Sequence, residues 1–173
     1  MGLTGGCQCG AIRYSADGKR SFTKSLGFVL QDYMNLGNIE FMIYLLILDI
    51  FPVETGTKVI CHCNPCQKRT TSAFSSNMIV PRAAFKVTNG ETRTYPHLGD
   101  SGKLYHHNFC GNCGTEVFGV PEAAPEILSI KAGSLDPEYR NIGPMDAEVY
   151  VVNRTNYVKE FEGLTQYDGM LPM

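Results

Sequence analysis

The chain has 173 residues, is 43% hydrophobic and 18% charged, and carries a net charge of -2 with a pI of about 6.1. That is enough chain for one globular core. Its few basic residues lie loosely, as Lys19, Arg20 and Lys24 or as Lys68 and Arg69, without the dense basic patch that phosphate-backbone binding requires, so no nucleic-acid partner is expected.

Residues 1–6 lack a basic region followed by an apolar run, so no secretory leader is expected there. The Gly-rich opening holds Cys7-Gln8-Cys9, followed by Ala11–Ser15, whose alternation predicts a strand, and by the Asp17-Gly18 turn signal. Residues 19–57 break this pattern. Ile39–Phe51 is almost continuously apolar, but the longest unbroken stretch of it, from Phe41, is stopped by Asp49 and is shorter than the roughly 20 residues that cross a bilayer, so no membrane partner is expected. Lys58-Val59-Ile60 then leads into Cys61-His62-Cys63-Asn64-Pro65-Cys66. Thr71–Val80 reads as a strand, Arg82–Ala84 as a helical turn, and Phe85–Thr88 as a strand closed by the Asn89-Gly90 hairpin signal, with Thr92–Tyr95 on its far side. Lys103–Phe109 and Thr115–Val120 flank Cys110-Gly111-Asn112-Cys113 as two strands flank a metal knuckle; Ile127–Ala132 and Ala147–Val152 are later strands. Many short strands broken by Gly and Pro predict an all-β fold in a single domain over 1–173.

The seven cysteines are all accounted for by these three motifs. In the soluble, cytoplasmic setting expected for this chain, clustered thiols read as metal ligands or reactive groups rather than disulfides. Structural zinc takes four ligands and catalytic zinc usually three, so seven divide as four plus three. Cys7, Cys9, Cys110 and Cys113 are expected to share one closed site, against the alternative of unrelated buried or redox thiols. Cys61, Cys63 and Cys66 have three readings: a site closed by His97, His106 or His107, a site open to an external thiolate, or a metal-free reactive thiol. His62, between two of these cysteines, is expected to point away from them. His62, His106 or His107 could move a proton. Lys131, before a turn, reads as a solvated side chain.

Gly5–Tyr14, Cys61–Gln67, Ser72-Ala73-Phe74, Val80–Phe85 and Phe109–Gly114 resemble the glutathione-dependent formaldehyde-activating enzymes, also called the GFA or CENP-V family. The resemblance covers residues 2–18 and 58–136, with all seven cysteines in order. It implies a β-tent (Mss4-like) fold of short antiparallel strands stapled by zinc. It implies two zinc sites: structural Cys7, Cys9, Cys110 and Cys113, and a labile, catalytic Cys61, Cys63 and Cys66 associated with glutathione. The implied activity is a carbon–sulfur lyase acting on thiol–aldehyde adducts such as S-hydroxymethylglutathione. Tyr105 and Arg82 are candidate glutathione contacts. The alternative is a non-catalytic zinc module binding glutathione or a protein partner; a chromatin role is opposed by the acidic pI.

Three features depart from the family pattern. A short hairpin usually separates the first two cysteine motifs, whereas here residues 10–60 do, so 19–57 reads as an insertion or a retained intron. Thr70-Thr71-Ser72 lacks the usual Gly, and Asn108 stands where a basic residue is common, both expected near a glutathione carboxylate.

Overall fold

The computed structural model describes residues 2–17 and 56–171. The apolar run Ile39–Phe51, the Asp17-Gly18 turn and nearly all of the 19–57 segment therefore lie outside the described residues. Among those described, eleven strands and one α-helix follow in chain order: β1 (Leu3–Gly6), β2 (Arg13–Ala16), β3 (Thr57–Cys61), α1 (Asn64–Thr70), β4 (Ser75–Pro81), β5 (Phe85–Asn89), β6 (Arg93–Leu98), β7 (Leu104–Phe109), β8 (Glu116–Pro121), β9 (Ile127–Lys131), β10 (Ala147–Val149) and β11 (Thr165–Tyr167). The fold is all-β, as expected. Strands β1-β2-β5 form a small sheet, and β11-β10-β3-β4-β9-β8-β7-β6 a large one. Most pairs are antiparallel, but β10 runs parallel to both β3 and β11. No helix among the described residues is long and apolar enough to cross a membrane.

The period-2 alternation of the strands divides the large sheet into two chemically distinct faces. Met78 and Val80 of β4, Leu128 and Ile130 of β9, and Phe118 of β8 point to one side, where they meet Leu3, Tyr14 and Ala16 of the small sheet. Phe85 links the layers, its ring 5.1 Å from Tyr14 and 4.7 Å from Phe118. The Arg13 guanidinium clamps Asp136 through two bonds of 2.8 and 2.5 Å, and the Thr4 hydroxyl donates to the same carboxylate. This ties the small sheet to the loop after β9. Ile130 is completely buried. Ile130→Ala is expected to cost about 2–5 kcal/mol, read as a lower urea midpoint at unchanged m; a loss below about 1 kcal/mol would remove Ile130 from the core.

Several local expectations shift. Asn89-Gly90 does not close a hairpin: β5 pairs with β2 and β6 with β7, so the chain passes here from one sheet to the other. Gly90 (φ 75°) makes that turn, and the Asn89 amide donates to the Ala11 carbonyl at 3.1 Å. A hairpin signal specifies a reversal of direction, not the strand that receives it. The strand expected over Thr71–Val80 begins only at Ser75, because α1 extends to Thr70 and Thr71 caps it in the left-handed conformation (φ 49°). Arg82–Ala84 forms the expected turn as 3-10 helix, while Val151–Asn153 is 3-10 rather than a continuation of β10.

Candidate metal centres and the polar sheet face

The β1–β2 turn carries Cys7 and Cys9, and the β7–β8 turn carries Cys110 and Cys113. All four sulfurs lie within 4.8 Å of one another, with Cys7–Cys9 at 3.5 Å and Cys9–Cys110 at 3.7 Å. All seven cysteines are free thiols. Tetrahedral thiolate coordination at about 2.3 Å puts sulfurs about 3.8 Å apart, so this donor set suits a four-coordinate metal. Backbone N–H groups of Ile12 and Asn112 donate to Cys7 and Cys110 at 3.2 and 3.4 Å, as a negatively charged sulfur favours. The Thr115 hydroxyl and backbone lower the Cys113 thiol to about 5. The group brings a turn of the small sheet against a turn of the large one, and the grouping of these four cysteines is the one expected from the sequence.

Cys61 ends β3, and Cys63 caps α1, on which Cys66 sits. Pro65 falls in the first turn, where its missing N–H costs nothing, and Lys68 and Arg69 occupy the last turn, where the helix dipole favours cations. The Cys66 N–H donates to the Cys63 cap sulfur at 3.4 Å. Helix capping is thus what turns the C-x-x-C spacing into two adjacent sulfurs. The three sulfurs form a second group within 4.8 Å, and no His, Asp or Glu among the described residues joins it. Hydrogen bonding from Cys61 and Cys63 pulls the Cys66 thiol down to about 2, with Lys131 and Ser75 acting in the same direction, while its two neighbours push Cys61 up. Three sulfurs grouped in this way suit a three-thiolate cation site.

The large-sheet face opposite the apolar core carries Ser75 and Asn77 (β4), Ser129 and Lys131 (β9), Gly119 (β8), Tyr105 and His107 (β7), and His97 (β6). Lys131 is not solvated; its side chain is 10% exposed. Its ammonium donates to Asn77 Oδ1 at 2.9 Å, lies 3.7 Å from Glu116 and sits 5.9 Å from the centre of the Tyr105 ring. Burial pulls Lys131 down, but Tyr105, Glu116, Cys66 and Cys61 outweigh it and hold the ammonium above its ordinary value. Glu116 is held below the ordinary carboxylate range, since hydrogen bonding from His107 and the charges of Lys131 and Arg69 exceed its desolvation. His107 bridges Glu116 at 2.5 Å and His97 at 2.8 Å. Arg69 of α1 pairs with Glu116 at 3.2 Å and lies 5.7 Å from the Tyr95 and Phe109 ring centres. Tyr105 packs against Gly119 so closely that an added Cβ there would fall 2.1 Å from the phenol oxygen.

The histidines considered as fourth ligands are otherwise engaged: His97 and His107 with each other, and His106 with Glu122 at 2.8 Å. His62 turns away from the thiols, as expected; it is fully buried, with Nε2 3.0 Å from Glu148. Arg82, His106 and Asn108 border a cleft on the opposite face of the sheet. Asn108 accepts from Thr92 and Thr94 there, so its departure from the family pattern lies on the sheet face opposite Lys131 and His107. Sequence reasoning missed Ser75, Asn77 and Glu116 and misread Lys131. The available signal was polar residues at alternate positions of otherwise apolar strands.

Comparison with known proteins follows this geometry. A solved structure similar to the chain, a crystal structure of a Rhodobacter sphaeroides protein, is 16% identical with a TM-score of 0.48, covering 83% of this chain and 97% of that one. Residues 48–153, more than half of the chain, match the family model described as glutathione-dependent formaldehyde-activating enzyme. That span contains Cys61, Cys63, Cys66, Cys110 and Cys113, and the fold supplies Cys7 and Cys9 to complete the four-sulfur group. The chain belongs to the glutathione-dependent formaldehyde-activating enzyme family.

Proposed function

We propose that the protein is a zinc-dependent carbon–sulfur lyase acting on glutathione–aldehyde adducts, S-hydroxymethylglutathione among them. Membership of the family supports a glutathione-related activity. The observation that carries the finer reading is the asymmetry of the two thiol groups: four sulfurs in one, and three in the other with no His, Asp, Glu or further Cys among the described residues joining them. Cys7, Cys9, Cys110 and Cys113 would hold a structural zinc. Cys61, Cys63 and Cys66 would hold a labile one and form the catalytic centre, a role assigned by the family resemblance and supported by their grouping. Bound there, zinc supplies a Lewis acid that favours thiolate over thiol and leaves a position for an external ligand. The chain's own part is to gather three sulfurs at the end of β3 and the start of α1, and to place the polar residues of the sheet face beside them. A glutathione thiolate reaching the triad would add to an aldehyde carbonyl, or leave the adduct in the reverse direction. The domain reading is one zinc domain over 1–173 working in the cytoplasm, with 19–57 an insertion or a retained intron; a mature transcript encoding the whole segment would exclude the intron.

The test compares adduct exchange, followed by NMR line-shape or exchange spectroscopy of formaldehyde with glutathione, against the glutathione-only control. The enzyme reading expects a rate well above the control for the wild type and no gain for Cys63→Ser. Saturable glutathione binding without any rate gain would replace it with the non-catalytic binding module.

A further inference from the structure

The polar face contains a row of polar groups, hydrogen-bonded from His97 to Glu116 and from Lys131 to Ser75 and joined by the Glu116–Lys131 ion pair, that the family resemblance does not assign. From the sheet edge inward, His97 Nδ1 lies 2.8 Å from His107 Nε2, and His107 Nδ1 lies 2.5 Å from Glu116 Oε1. Glu116 lies 3.7 Å from Lys131 Nζ, which donates to Asn77 Oδ1 at 2.9 Å. The Asn77 amide donates to Ser75 Oγ at 2.8 Å, and Ser75 lies directly across the β3–β4 pairing from Cys61 of the triad. The row starts at a half-buried imidazole and ends beside the triad. An unaided lysine is rarely buried so fully. Here the groups facing Lys131 are Glu116 of β8, Tyr105 of β7, Asn77 of β4, and Cys61 and Cys66, while His107 of β7 and Arg69 of α1 hold the same Glu116 and His97 of β6 holds His107. One carboxylate serves two cations, Lys131 and Arg69, and the Lys131 charge also faces the thiol triad.

We propose that Lys131 is the proton donor to the oxygen of the thiol–aldehyde adduct at the triad, and that His97, His107 and Glu116 form the path returning that proton from solvent. This inference rests on the lyase reading above. In the synthetic direction the thiolate sulfur attacks the aldehyde carbon, the C–S bond forms, and the carbonyl π pair becomes an alkoxide. Lys131 passes a proton to that oxygen and is left as a neutral amine. A solvent proton entering at His97 restores the ammonium, replacing the one the thiol released on ionising. Cleavage runs the same steps backwards: Lys131 first gives its proton to solvent through Glu116, His107 and His97, the neutral amine takes the hydroxyl proton as the C–S bond breaks, and the departing thiolate recovers its proton from water. The tight ion pairing explains how an ammonium can sit in a nearly dry position: Glu116 keeps it charged, and the imidazole pair connects Glu116 to the surface.

The test uses the zinc-loaded full chain, with zinc per chain and glutathione KM recorded beside kcat. Lys131→Met is expected to lower kcat by about 100-fold or more, within the range of general acid–base contributions, and to remove the solvent deuterium isotope effect while zinc content and KM stay near wild type. The alternative is that Lys131 only neutralises Glu116. Under that alternative the double variant Lys131→Met/Glu116→Gln, which removes both charges, restores the rate; under the donor assignment it stays as slow as Lys131→Met. Rescue in the double variant, or a Lys131→Met enzyme with near wild-type kcat, overturns the donor assignment while leaving the lyase reading standing. A wild-type protein with no rate above the glutathione-only control overturns the lyase reading, and the donor assignment falls with it.

Discussion

Cys110→Ser is expected to leave the protein largely unfolded at room temperature. Cys110 is 2% exposed and belongs to the sulfur group that joins the β1–β2 turn to the β7–β8 turn. The small sheet covers the apolar face of the large one, and its strands are four or five residues long. Strands that short bury too little surface to hold the layer alone. A structural thiolate-bound metal contributes on the order of 10 kcal/mol to folding in small zinc domains, which is comparable with the roughly 5–15 kcal/mol of net stability that a whole domain has. Removing one ligand therefore removes most of the margin. The expected result is loss of the cooperative thermal transition followed by circular dichroism, together with loss of zinc from this group. A strong chelator applied to the wild type is expected to reach the same state. A variant that melts within a few degrees of wild type would show that the arginine clamp on Asp136 and the apolar core hold the sheets together without the metal.

Cys63→Ser is expected to behave in the opposite way: a folded protein holding one zinc where the wild type holds two. Cys63 is half-buried and lies at the start of α1, outside the apolar core. A serine at a helix N-cap is at least as good an acceptor for the Cys66 N–H as a thiol. The substitution thus removes a metal ligand without removing the cap. The large sheet keeps all its strand pairings, and the four-sulfur group at the far turn is untouched. The readouts are zinc per chain by elemental analysis and the thermal midpoint. In the wild type, zinc is expected to fall from near two toward one as reduced glutathione is raised, because the three-thiol group offers a position to an external thiolate. In Cys63→Ser it is expected to start near one and to be indifferent to glutathione. Two zincs insensitive to glutathione in the wild type would make both groups structural. A Cys63→Ser protein that fails to fold would place the triad in the framework as well.

What could be read from the chain alone concerned local pattern and donor chemistry. Period-2 alternation and Gly/Pro punctuation identified most strands, because strand side chains alternate whatever the strand pairs with. The division of seven thiols into four and three followed from the coordination number of zinc and from motif spacing, and the fold grouped the sulfurs in that way. Tertiary structure decided everything that depends on which strand lies beside which. The Asn89-Gly90 turn could not reveal that its two strands join different sheets, since a turn constrains four residues and strand pairing is long-range. The helix after the triad is too short for a period, and only its Pro65 and its basic last turn hinted at it. Lys131 read as solvated because lysine usually is. Its burial is created by Glu116, Asn77 and Tyr105, brought from 15, 54 and 26 residues away in sequence by the β7-β8-β9-β4 order. A charge becomes stable in a sheet interior only when its partners arrive there with it, and that juxtaposition is a property of topology rather than of any single stretch of sequence.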